Sequence, residues 1–124
     1  MSEIMPEITL AMVQQILDDQ VDDATVNAWV LQSLGFRWDP ETQSWDPSQA
    51  QWQGEGIPDF IQSRPDVVKL TRAIPPAHKQ LLKEILHFPG YQVHELTPRK
   101  TRRATAANWL LHVWKSCQEE GEHA

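Results

Sequence analysis

Cysteine is nearly missing from this 124-residue chain, with Cys117 the only one. A single thiol excludes an intrachain disulfide and a cysteine-built metal cluster, and it fits a reducing compartment. Long apolar runs are missing too: no stretch approaches the roughly 20 apolar residues that a membrane helix needs. The start, Met1-Ser2-Glu3-Ile4-Met5-Pro6-Glu7, is acidic and carries no basic leader of a secretory signal. A soluble cytoplasmic protein is expected. Motifs that carry chemistry are equally scarce. There is no glycine-rich phosphate loop, no Gly-x-Ser-x-Gly elbow, and no i, i+4 pair among His78, His87, His94, His112 and His123. No enzyme signature follows, and neither a cofactor nor a metal is expected.

Cations are absent from most of the first half. Residues 1–60 hold eleven carboxylates against Arg37 alone, a net −10; residues 61–118 hold ten cations against Asp66, Glu84 and Glu95, a net +7; Glu119, Glu120 and Glu122 add −3. Such segregation points to internal pairing of the halves or to an interaction surface. The densest basic run is Arg99-Lys100-Thr101-Arg102-Arg103, in the first turns of a helix opened by Thr97 as cap and Pro98 as first residue. The helix dipole already places positive charge there, so each cation costs about 0.3–1 kcal/mol. An external anion, or carboxylates from the first half, would relieve that cost. Arg99, Lys100, Arg102 and Arg103, with Asn108 on a following turn, are therefore candidate binding residues for an acidic protein surface, a phosphate or another anion. A nucleic acid would need stacking on Trp109 or Tyr91, and the acidic balance argues against it.

Six tryptophans supply much of the apolar surface. Trp29, Trp109 and Trp114 fall at helical core spacings. Trp38-Asp39-Pro40 and Trp45-Asp46-Pro47 repeat seven residues apart, and Asp39-Pro40 is the start of a type I turn. Residues 36–46 thus form a β-hairpin with Trp38 and Trp45 facing each other, either closing the core or serving as a second candidate docking surface. Residues 46–58 form an exposed loop around Trp52.

The remaining elements follow from periodicity and caps. One amphipathic helix spans 8–17; a second, capped by Asp22 or Asp23, ends at Gly35. Residues 65–74 fit a helix or a strand. A helix is expected from Ala77 to about His87, a strand over 91–96 and the last helix to about Gln118, with Cys117 on its apolar side as a small buried hydrophobe. Disordered tails are expected at 1–6 and 119–124. The whole is one α+β domain, predominantly helical, with a small antiparallel β-hairpin or sheet.

Two stretches carry a resemblance: Ser63-Arg64-Pro65-Asp66-Val67-Val68-Lys69-Leu70-Thr71-Arg72 with Ile74-Pro75-Pro76 and Lys79-Gln80-Leu81-Leu82-Lys83, and Thr97-Pro98-Arg99-Lys100-Thr101-Arg102-Arg103-Ala104-Thr105-Ala106-Ala107-Asn108-Trp109-Leu110-Leu111. Through them the chain resembles a family of uncharacterised proteins from cyanobacteria and plant plastids, over nearly its whole length. The resemblance implies a setting, the cyanobacterial cytoplasm or plastid stroma, and transfers no catalytic residue. The expected function is non-catalytic binding or assembly with another protein. The alternatives are a nucleic-acid or phosphate-metabolite binder, and an enzyme whose site forms only in three dimensions.

Overall fold

Thr9 and Asp22 open the first two helices, each side-chain oxygen accepting the backbone N–H three residues on, Met12 and Thr25 respectively. The computed structural model describes residues 8–48, 50, 52 and 56–122. Helix α1, Leu10–Leu17, buries Val13, Ile16 and Leu17; α2, Asp23–Ser33, buries Val26, Val30 and Leu31. Gly35 follows α2 at φ 99°, the left-handed geometry that glycine adopts without a Cβ clash.

The hairpin forms as expected. Strands β1, Arg37–Asp39, and β2, Ser44–Asp46, pair antiparallel with Trp38 opposite Trp45. Their rings meet edge to face at 5.4 Å. Asp39 accepts the Glu41 N–H at 2.9 Å and so closes the turn through its own carboxylate.

Residues 65–74 resolve as helix. Ser63 caps α3, Arg64–Ala73, Pro65 sits in its first turn, and Val67 and Leu70 are buried. The expected helix from Ala77 to His87 is broken instead into a 3₁₀ turn, Pro76–His78, and a short α4, Leu81–Leu86. Asn108 is the reason: its side chain accepts Leu82 N–H at 3.3 Å and donates to the His78 carbonyl at 3.1 Å, bonds that compete with helix continuation. The strand expected over 91–96 is likewise corrected to a 3₁₀ turn, Val93–Glu95, with reciprocal Gln92–Glu95 capping. Among the described residues the hairpin's two strands make up the sheet, so this segment has no ladder to join and satisfies its backbone locally.

Helix α5, Pro98–Glu122, is the spine: α1, α2, α3 and α4 all pack on it. Ala106, Ala107, Leu110 and Leu111 are fully buried at its middle. It runs past Gln118 into the expected tail, while residues 1–6 lie outside the described residues. The loop expected to be exposed over 46–58 is tied down at two described positions. Ala50 is buried, and the Trp52 ring lies 5.9 Å from that of Phe60 and 6.2 Å from that of Trp109. Cys117, expected to be buried, is exposed, because the core ends a turn and a half earlier on α5.

Candidate binding surface

The basic run divides by function once folded. Arg103 is 1% exposed. Its guanidinium donates to Asp23 Oδ1 at 2.6 Å, to the Val21 carbonyl at 2.6 Å and to the Ile16 carbonyl at 3.2 Å. Arg99 takes both oxygens of Asp19 in a bidentate grip, at 2.8 and 3.2 Å, and reaches Asp23 Oδ2 at 2.9 Å through Nε. Asp19 is held at φ 58°, a left-handed conformation that Asp tolerates better than most residues, and this aims its carboxylate at α5. Arg99 holds the Asp19 carboxyl below the ordinary carboxylate range, with lesser help from Arg103 and Lys100. The carboxylates of the first half thus supply the counter-charge, and the two arginines lock the α1–α2 loop to the last helix.

The other basic residues are less committed. Arg102 donates through Nη1 to the Ile61 and Gln62 carbonyls, each at 3.2 Å, and stays partly exposed. Lys100 lies 5.4 Å from the Tyr91 ring centroid and 4.0 Å from Glu95. Tyr91 is anchored by its hydroxyl, which donates to the Leu17 carbonyl at 3.1 Å, and burial raises the phenol above its usual range. Asn108 is buried in the role already described. Trp38 and Trp45 are half-buried on the hairpin, Trp45 packing against the core, so the structure does not bring them together with the basic run.

Beside Arg102 the surface sinks into an open depression of about 570 Å³ between α3, the Leu96-Thr97 segment and the start of α5. Val67, Val68, Leu96 and Pro98 form its apolar floor, with Arg64 and Arg102 at its edges. Leu96, within this lining, is 52% exposed. Thr101 links it to a smaller cleft of about 260 Å³ lined by Ile74, Lys79, Leu82 and Ala104. Together they make a groove along one side of α5, apolar below and cationic at its rim.

A family described as a domain of unknown function (DUF1823) matches residues 7–115. The chain belongs to that family. A solution NMR structure of a similar protein is 49% identical over 91% of this chain and 98% of its own, with a TM-score of 0.80. No curated protein matches significantly. Membership spans the hairpin, the arginine lock and the groove alike, and assigns no activity to any of them.

Sequence reasoning missed the groove because its floor joins Val67 and Val68 to Leu96, nearly thirty residues away. It also missed a pair of histidines. His78, in the first 3₁₀ turn, and His112, on α5, meet with their Nδ1 atoms 2.7 Å apart. A 34-residue separation leaves no local signal of that contact. Among the described residues no group of three or more His, Cys, Asp or Glu is placed to hold a metal, and no helix is long and apolar enough to cross a membrane.

Proposed function

We propose that this protein is a non-catalytic binding or assembly protein whose α3–α5 groove receives an acidic, partly apolar segment of another protein. The observation that carries this reading is the coincidence, in one open depression, of the apolar side chains of Val67, Val68, Leu96 and Pro98 with Arg64 and Arg102, Leu96 being 52% exposed. An apolar centre with a charged rim is the usual anatomy of a protein-docking surface. Arg99 and Arg103 support the fold beneath it, and Arg102 is the member of the basic run placed to meet a partner. A phosphate or nucleic-acid ligand fits less well, since the strongest arginine forks are spent on Asp19 and Asp23. We infer the cyanobacterial cytoplasm or plastid stroma as the setting of this binding, a reading that rests on the sequence resemblance alone.

The test pairs capture with mapping. Affinity capture from a native extract, at low and high salt, compares the wild type with Arg64→Glu/Arg102→Glu, and the captured partner is then titrated into labelled protein. The expected result is salt-sensitive capture lost in the double variant, unchanged melting, and NMR shifts at Val67, Val68, Leu96 and Thr101. Capture indifferent to the double variant, or shifts elsewhere, rejects the groove.

A further inference from the structure

We propose that the segment received by the α3–α5 groove is an amphipathic α-helix of about three turns, with carboxylates flanking its apolar stripe; this rests on the docking reading and names the form of the partner. Arg64 and Val67 of α3 share the first depression with Pro98 and Thr101 of α5, and Thr71 shares the second with Ala104 and Asn108. The two helices therefore advance side by side in the same direction, and the groove follows α5 from Pro98 to Asn108, roughly 15 Å. A helix of about eleven residues matches that length, whereas an extended chain covers it with about five.

The chemistry of the lining decides the conformation. A segment docked in extended form brings unpaired backbone N–H and C=O groups, which need a sheet edge or side-chain partners. The described lining offers few. Val67, Val68, Leu96 and Pro98 have no hydrogen-bonding side-chain group, and the polar side chains beside them are engaged within the chain. Thr71 and Thr105 donate their hydroxyls to the Val67 and Thr101 carbonyls, and Thr97 Oγ1 accepts the Lys100 N–H. Asn108 bridges Leu82 and His78. The hairpin strands, the sheet of the described residues, stand outside both depressions. A helix arrives with its backbone already paired and needs only apolar contact there. Thr101, Ala104 and Thr105, short side chains in the second depression, let its axis come close to α5. Charge then selects its flanks. The charged residues among the described lining are Arg64 and Arg102 in the first depression and Lys79 in the second. The α3 carboxylate, Asp66, is turned to the Asp59 N–H at 2.9 Å. Cations at both ends of an apolar floor are complemented by acidic residues at both ends of an apolar stripe.

Selection from a displayed library of random peptides, long enough for about four helical turns, on the immobilised full-length protein tests this. The expected binders carry apolar residues at i, i+3 or i+4, and i+7, with Asp or Glu on either side. They gain helical circular dichroism on mixing with the protein and shift the amides of Val67, Val68, Leu96 and Thr101. Arg64→Glu/Arg102→Glu weakens them roughly tenfold or more, and a proline at the centre of the peptide abolishes binding. Arg64→Glu alone, at an exposed site, carries the charge test if the double variant melts early. Binders that occupy the groove yet alternate apolar and polar residues, or tolerate the central proline, overturn the helix and leave the docking reading standing. A selection that yields no binders, or binders indifferent to the charge reversals, overturns both. Wild-type protein that self-associates, and loses this in the double variant, puts a second copy in the groove and overturns the proposal.

Discussion

Arg103 shows how much one side chain does when its neighbours converge on it. It satisfies a carboxylate and two main-chain carbonyls from the α1–α2 region, the Ile16 contact buried and those to Val21 and Asp23 part-buried. Removing the guanidinium while keeping an apolar stem takes a donor from each of these acceptors, although Arg99 still holds Asp23 Oδ2 and the Asp19 N–H still reaches the Ile16 carbonyl, and the loss exceeds the pair's own net contribution. Arg103→Met is expected to lower stability by about 3 kcal/mol, the low end for a broken buried pair, because part of the Asp23 side chain remains in water. Urea unfolding midpoints check this, and Arg102→Glu, at a partly exposed site, is the contrast: within about 1 kcal/mol of the wild type. Arg103→Lys would not rescue, since an ammonium cannot reach three acceptors with the fork geometry of a guanidinium.

At the scale of elements, local chemistry set the starts and tertiary contacts set the interruptions. Thr97, Asp22, Ser63 and Thr9 each cap a helix through the N–H three residues on, a pattern written within four consecutive residues. Thr97→Ala is expected to cost about 1 kcal/mol. Hydrogen exchange reads it locally: the Lys100 amide, bonded to Thr97 Oγ1 at 3.1 Å, should lose protection before any residue at the middle of α5. The hairpin was legible for the same reason, a turn signal between two tryptophans in matched register. The break between the first 3₁₀ turn and α4 was not. The apolar spacing of Leu81, Leu82, Ile85 and Leu86 is helical throughout, and only Asn108, more than twenty residues later, takes the bonds that end continuity.

At the scale of the whole molecule, the two charged halves meet where α5 begins. The pairs Arg99–Asp19, Arg99–Asp23 and Arg103–Asp23 tie the acidic α1–α2 loop to the basic run. This fixes the sign of the acid response. The Asp19 carboxyl is depressed on folding, so its contribution is present above the unfolded value near 3.9 and is lost as pH falls through that value toward the folded one. Stability is expected to drop below about pH 4, and Asp19→Asn should flatten part of that drop. Asn tolerates the same left-handed backbone, so the comparison isolates charge. Urea midpoints at pH 3 to 7 for the two proteins measure it. Because Asp19 is nearly half exposed, the flattening should be modest and should shrink in high salt.

The sequence by itself determined the helical character, most helix starts, the hairpin with its facing tryptophans, and the pairing of opposite charges as one of two outcomes. Each is decided within a few residues or by net charge, and both are visible in one dimension. Tertiary structure alone decided which arginines are structural, that Cys117 lies beyond the end of the core, that Trp52 closes on Phe60 and Trp109, and that His78 meets His112. It also decided that Val67, Val68 and Leu96 share one groove beside Arg102. The physical reason is that burial and side-chain contact depend on how four shorter helices settle around α5, and that packing is set by shape across distant segments, not by any spacing within one.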